Sequence, residues 1–185
     1  MHSKSYRFLT PLIMVLTWAN MEAQTSHPVP RLVVNVTIDQ LRTDYMEAFS
    51  SLFGAGGFNK VMRDGRSYMD AAYPFSHIDR ASAVACIMTG TVPYDNGIVG
   101  EHWMDRKTLR PMYCVDDATC EGWLTSEKYS PVALNVSTVT DELKMATGGR
   151  ALVYSIAPDA DAAILAAGHA ADGAFWIDNA SGQWS

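Results

Sequence analysis

The segment Ala151-Leu-Val-Tyr-Ser-Ile156 begins the stretch that indicates the fold class of this chain. The stretch continues through residues 161–171 and ends with Gly173-Ala-Phe-Trp-Ile177. Its two outer runs are almost continuously apolar, which is typical of strands covered on both faces of a sheet. The alanine-rich segment between them predicts a short helix. A strand, a helix and a second strand in this order predict two parallel strands joined by a crossover.

The same alternation extends towards the N-terminus. The run Arg31-Leu-Val-Val-Asn-Val-Thr-Ile38 predicts another covered strand, and helical spacing follows it over residues 40–53. Asp79 is a suitable N-cap for an alanine-rich helix that ends at Gly90. Three further elements are predicted, namely a helix over 58–65, a strand over 67–73 and a helix over 135–147. The predicted class is α/β, with a largely parallel β-sheet and helices on both faces.

The composition is that of a globular protein. The chain has 185 residues, of which 48% are hydrophobic and 18% are charged, and this mixture excludes a disordered chain, a collagen-like fibre and a coiled coil. Its length fits one domain or a large piece of one. The formal net charge of −6 argues against a nucleic-acid partner, because a general nucleic-acid binder carries a basic excess.

The N-terminus has the pattern of an export signal. Lys4 and Arg7 precede an apolar run over residues 8–19, which is too short to span a bilayer comfortably. We predict a signal peptide over residues 1–23, a linker over 24–30 and a domain over 31–185, hence a periplasmic or secreted protein. Cleavage after Ala19 and a buried helix of the domain are the alternatives. No cysteine stands directly after the apolar run as a site for a lipid, so no stable membrane anchor is expected.

The segment from 91 to 130 predicts an irregular surface excursion, because it is rich in turn formers and charged residues. It contains Cys114 and Cys120, which would close a small disulfide loop in an oxidising compartment. A thiolate metal pair and two free thiols are the alternatives for these cysteines. Cys86 lies in a predicted helix and is expected to be a buried free thiol.

Three segments together resemble a known family. They are residues 33–45, the helix from Asp79 to Gly90, and Val92-Pro-Tyr-Asp-Asn-Gly-Ile-Val-Gly100. In this order they resemble the N-terminal third of the alkaline phosphatase superfamily, in its type I phosphodiesterase/nucleotide pyrophosphatase-like branch. The resemblance implies an alkaline-phosphatase-like fold and metal-dependent hydrolysis of phosphoric (or sulfuric) esters. It also implies a small anionic ester as substrate and two divalent metal ions, with Zn²⁺ expected.

The resemblance assigns Asp39 to the position of the family's first metal-ligating aspartate. Carboxylates at the ends of parallel strands suit this task, because ligands collect at the carboxyl edge of such sheets. The alternative is that Asp39 is the N-cap of the helix predicted after it.

The nucleophile position departs from the family pattern. The family places a threonine or serine at the first turn of the helix that ends here in Thr89-Gly90, and the matching residue is Arg80. A guanidinium stays protonated and cannot attack phosphorus. Ser82 lies two residues further on and is the other catalytic candidate, with an ordinary role as the third residue of the helix as its alternative.

Three more positions carry a side chain whose charge differs from that of the family pattern. Glu101 stands where the family has a phosphate-facing asparagine, and Asp159 and Asp161 stand where it has a lysine and an arginine. The four positions together therefore indicate a site whose charges differ from those of the family. A cation such as Ca²⁺ and a solvated acidic face are alternative roles for this acidic trio. His102 is expected to be a loop histidine, and His169 a structural one.

The family's other metal ligands, an Asp-x-x-x-His pair, an Asp-His pair and a late histidine, have no match in this sequence. We therefore expect an incomplete domain that is inactive by itself. The leading interpretation is the N-terminal part of a phosphoric ester hydrolase, incomplete or catalytically altered. The alternative is a non-catalytic anion-binding pseudoenzyme of the same fold, in which Arg80 grips the anion. A structural surface module is a weaker third possibility.

Overall fold

The computed structural model describes residues 30–185, so the predicted signal peptide and all but the last residue of the predicted linker lie outside it. Asn35–Ser185 form one compact unit. Its helices are Thr43–Ala48 (α1), Gly57–Asp64 (α2), Arg80–Thr89 (α3), Pro93–Asn96 (α4), Val139–Ala146 (α5) and Ala160–Ala167 (α6), with a short 3₁₀ turn at Ser50–Leu52. Within the described part of the chain, no helix has the length and apolarity needed to cross a membrane.

Two pairs of strands accompany these helices. His102–Met104 (β1) and Pro111–Tyr113 (β2) form an antiparallel hairpin in which His102 lies opposite Tyr113. Tyr154–Ile156 (β3) and Gly173–Phe175 (β4) pair in parallel, with α6 as the crossover between them. The α/β class and the predicted strand–helix–strand unit are therefore confirmed, although each strand is shorter than its apolar run.

The core lies where α6 packs against α3 on one side and against β3 and β4 on the other. Alanines face each other across the two helices, which allows the helix axes to approach closely. The buried members from the two helices are Ala81, Val84, Ala85, Met88, Ala160, Ala163, Ile164 and Leu165. This packing brings the N-terminal ends of both helices to the same region of the molecule.

Helix α3 begins and ends as predicted. The Asp79 carboxylate accepts a hydrogen bond from the Ser82 N–H, and the Ser82 hydroxyl accepts one from the Asp79 N–H, which together form a capping box. Gly90 ends the helix in the left-handed conformation, with φ of 68°. Helix α5 begins with an equivalent capping box between Thr138 and Asp141.

Two predicted strands are wrong. Residues 31–38 and 67–73 contain no strand, and neither segment pairs with another among the described residues. Their apolar side chains are exposed, with 70% of Val34 and 74% of Tyr68 accessible to solvent. An apolar run predicts the environment in which a strand is stable, but a strand also requires a neighbouring strand that offers hydrogen bonds.

The helix predicted over residues 40–53 is shorter than expected. Helix α1 begins only at Thr43, with Arg42 as its N-cap, and Phe49 separates it from the 3₁₀ turn. Asp39 is therefore not the N-cap of this helix. The segment from 91 to 130 is more ordered than predicted, because it contains α4 and the β1–β2 hairpin.

The disulfide predicted for the 91–130 segment is wrong. Cys86, Cys114 and Cys120 are all free thiols. Cys114 is completely buried in the core, and this burial raises the pKa of its thiol. The Cys120 thiol instead donates to Asp117 Oδ2 at 3.3 Å. The two cysteines thus belong to different environments.

Candidate functional site

The site is centred on Arg80, the first residue of α3. Its guanidinium binds the Asp161 carboxylate with two nitrogens, Nη2 donating to Oδ1 at 2.9 Å and Nε donating to Oδ2 at 3.1 Å. Asp161 lies in the first turn of α6 and has no exposed surface. The two helix ends that the core brings together are therefore joined by a bidentate, charge-assisted pair.

Two further carboxylates surround the same guanidinium. Asp159 lies 3.0 Å from Arg80 Nη1, and Glu101 lies 3.5 Å from Arg80 Nη2. We call Arg80, Glu101, Asp159 and Asp161 the Arg80 cluster. The structure thus brings together the four positions that the sequence analysis predicts to depart from the family pattern, with three negative charges facing one positive charge.

The electrostatics of the Arg80 cluster keep its cation charged. Burial by itself would lower the pKa of Arg80, but the hydrogen bonds and charge of Asp161, followed by the charges of Asp159 and Glu101, raise it above its usual value. An external anion would have to compete with three carboxylates for this guanidinium. The three carboxylates of the cluster face Arg80. In the described part of the chain, no three His, Cys, Asp or Glu side chains form a group that could hold a metal ion.

Ser82 lies beside the Arg80 cluster in sequence but has a different environment. It is the third residue of α3 and has no exposed surface. Its hydroxyl donates to Asp79 Oδ1 at 2.8 Å and accepts from the Asp79 N–H at 3.0 Å. The Ser82 hydroxyl is therefore used both as a donor and as an acceptor in the cap of α3.

Asp39 is exposed, and it belongs to no group of three potential metal ligands among the described residues. Because no metal-binding group of three side chains occurs among residues 30–185, these residues alone do not assemble the two-metal centre implied by the resemblance. The role of Asp39 as a metal ligand stays a prediction.

Comparison with known proteins gives the family. Residues 33–183 match the model of the type I phosphodiesterase / nucleotide pyrophosphatase family. The chain belongs to this family. It is 40% identical to the alkaline phosphatase PhoV of Synechococcus elongatus over 158 residues, which are 84% of this chain and 29% of PhoV. It is 32% identical to the alkaline phosphatase PafA of Elizabethkingia meningoseptica over 182 residues, which are 96% of this chain and 33% of PafA.

Solved structures give the fold of this phosphodiesterase family member. The crystal structure of wild-type PafA superposes with a TM-score of 0.79 at 34% identity, and the match covers 85% of this chain and 31% of PafA. A PafA variant with four substitutions, of a threonine, an asparagine, a lysine and an arginine, superposes with a TM-score of 0.74 at 32% identity. The chain therefore has the alkaline phosphatase fold and spans about a third of the length of these relatives.

The two histidines of interest occupy different places in this family member. The His102 ring stacks on Tyr113 at 4.8 Å, and its Nδ1 lies 3.7 Å from Glu101. His169 lies between the Asp141 carboxylate and the Leu134 carbonyl, with 3.0 Å to each. His102 thus borders the Arg80 cluster, whereas His169 joins the loop before α5 to the loop after α6.

Asp141 anchors this junction. Burial by itself would raise its pKa, but hydrogen bonds from the Thr138 N–H, His169 and the Ala170 N–H outweigh it and lower the pKa to about 2. The carboxylate therefore stays ionised at neutral pH and ties the start of α5 to the loop after α6.

Two neighbours of the Arg80 cluster were missed by sequence reasoning. The Tyr113 hydroxyl accepts from the Asp161 N–H at 3.3 Å, and Asp79 Oδ2 accepts from the Glu101 N–H at 2.6 Å. No sequence pattern marks Tyr113. Asp79 was found only as a helix cap, and the contact made by its second oxygen depends on a chain segment 22 residues away.

Proposed function

We propose that this protein is a metal-dependent hydrolase of phosphoric (or sulfuric) esters whose attacking position is catalytically altered. Support for the class comes from the family match over residues 33–183 and from relatives named as alkaline phosphatases. The observation that carries the alteration is the first residue of α3, where Arg80 is bound by three carboxylates.

The substituted PafA variant supports the assignment of these positions. Its threonine and asparagine are separated by the same number of residues as Arg80 and Glu101, and its lysine and arginine by the same number as Asp159 and Asp161. The residue types also agree with those expected from the family resemblance. We therefore infer that the Arg80 cluster occupies the region that the relative's four substituted residues occupy.

The chemistry of the Arg80 cluster opposes attack on a phosphate monoester. The guanidinium has no lone pair available for attack on phosphorus. Three carboxylates repel a phosphate dianion instead of stabilising its charge. Arg80 is also engaged on Nε and on both terminal nitrogens, which argues against the alternative of an anion-binding pseudoenzyme. We propose that phosphate monoesters are therefore poor substrates.

The metal requirement is a proposal that rests on the family. We propose Asp39 as a ligand of the first of two divalent ions, with zinc expected. The described residues offer no set of three ligands, so we assign no reaction step to a metal.

We further propose that the protein is exported, with a signal peptide over residues 1–23, a linker over 24–30 and the N-terminal part of the hydrolase domain over 31–185. The basic residues followed by a short apolar run support this proposal. A small anionic ester is the proposed ligand, and the net charge of −6 argues against nucleic acid.

The altered attacking position is tested by hydrolysis of p-nitrophenyl phosphate, a phosphate monoester, by the whole protein supplied with zinc. We expect no turnover above buffer, in the wild type or in Ser82→Ala. Turnover that Ser82→Ala abolishes would make Ser82 the nucleophile and contradict the proposed alteration. N-terminal sequencing of the exported protein tests the signal peptide. We expect the first residue to be Gln24, and a first residue of Met1 would contradict the signal peptide.

A further inference from the structure

We propose that Asp79 is a positioning residue, which uses one carboxylate oxygen to cap α3 and the other to hold Glu101 beside Arg80. The inference rests on the proposed function only in taking the Arg80 cluster as the site. It states that the Asp79 carboxylate holds Glu101 close to Arg80, two of the four members of that cluster.

The two oxygens have separate partners. Asp79 Oδ1 accepts from the Ser82 N–H at 2.9 Å and from the Ser82 hydroxyl at 2.8 Å. Asp79 Oδ2 accepts from the Glu101 N–H at 2.6 Å. Helix capping alone requires only the first oxygen, so the second contact is a distinct task.

Gly100 shows how closely the two segments approach. A Cβ atom at Gly100 would lie 2.9 Å from Asp79 Oδ2, which is too close for ordinary packing. A residue without a side chain is needed here because the backbone of residues 100 and 101 lies directly against the carboxylate. The approach is therefore a specific feature of this junction.

The charge of Asp79 strengthens the contact. Burial by itself would raise the pKa of Asp79, but the hydrogen bonds from the Ser82 and Glu101 amides and the neighbouring Arg80 charge outweigh it and lower the pKa. The carboxylate is therefore ionised at neutral pH, and a hydrogen bond to an ionised acceptor is stronger than a neutral one.

The position of Glu101 follows from this contact. Its backbone N–H is fixed by Asp79, its carbonyl accepts from the Cys114 N–H at 2.9 Å, and its side chain reaches Arg80 at 3.5 Å. Releasing the Glu101 N–H would therefore remove one of the contacts that hold Glu101 beside Arg80, while the first oxygen of Asp79 could still cap α3.

Amide hydrogen exchange of the whole protein tests the proposal with Asp79→Ser. A serine still caps α3 through its single oxygen but leaves the Glu101 N–H without a partner. We expect the Glu101 amide to exchange at least about tenfold faster, with the amides of Ala83 and Val84 in α3 unchanged within about twofold. An unchanged Glu101 rate would overturn the proposal, as would equal acceleration of Glu101 and α3.

Gly100→Ala provides a second variant that keeps the Asp79 cap. Its added methyl group should displace the 100–101 backbone and accelerate exchange at Glu101 while α3 stays protected. A Glu101 rate equal to that of the wild type would contradict the close approach. Neither exchange measurement depends on ester hydrolysis. Turnover of a phosphate monoester by the wild type would therefore contradict the proposed catalytic alteration and leave this inference to its own test.

Discussion

Replacing Arg80 by alanine is expected to lower the free energy of unfolding by about 3 kcal/mol, because it leaves a buried carboxylate without its partner. Asp161 has no exposed surface, and the three side-chain hydrogen bonds that its carboxylate accepts among the described residues all come from Arg80. Asp159 and Glu101 would then repel Asp161 without a cation between them. Urea denaturation of the whole protein measures the change.

Arg42→Ala is the matched control for this experiment. Arg42 also binds one aspartate with two nitrogens, but its side chain and that of Asp44 are 67% and 57% exposed. Exposed pairs contribute little, so this variant should unfold with the wild-type free energy. If Arg80→Ala lowered the free energy of unfolding no more than Arg42→Ala does, the Arg80 cluster would not stabilise the fold.

The second large effect is expected for Gly168→Ala, which should lower the free energy of unfolding by about 3 kcal/mol. Gly168 has φ of 81°, and a Cβ atom there would clash with Thr138 Oγ1 and lie 2.9 Å from both Asp141 oxygens. The substitution therefore combines backbone strain with disruption of the α5 capping box. Thermal and urea unfolding both measure it.

Gly90→Ala separates the two causes. Gly90 has φ of 68°, but no atom lies within 4 Å of the position that its Cβ would take. This variant should lose only the cost of a left-handed residue, about 1 kcal/mol. Equal losses for the two variants would mean that the close approach of Thr138 and Asp141 to Gly168 has no energetic consequence.

The unit over residues 151–177 could be predicted from sequence because its information is local. Two apolar runs flank an alanine-rich helix, and a short crossover requires that the strands be neighbours and parallel. The ends of α3 were predictable for the same reason, since Asp79 and Gly90 act on residues within one turn of themselves.

The run over residues 31–38 could not be assigned in this way. Its β-branched residues favour an extended, covered strand, yet pairing depends on a neighbour that the run does not specify. In the structure these side chains are exposed, with Val36 75% accessible. The apolar pattern therefore identified a preference for burial and not the strand itself.

The Arg80 cluster was only partly predictable. Its four members were identified by their charges at positions taken from the family resemblance. The α3–α6 contact brings Arg80, Asp159 and Asp161 together, and the contact with Asp79 adds Glu101. The sequence suggested a free guanidinium that could grip an anion. Only the packing of α6 on α3 reveals that Asp161 and Asp159 already occupy it.

A calorimetric titration of the whole protein with inorganic phosphate shows whether Arg80 is available to bind an anion. We expect no saturable binding at the Arg80 cluster, because three carboxylates already surround its single cation. Arg80→Ala should therefore give the same titration as the wild type. Saturable binding by the wild type that is lost in Arg80→Ala would make Arg80 a phosphate ligand and would contradict the proposal that its carboxylate neighbours already occupy it.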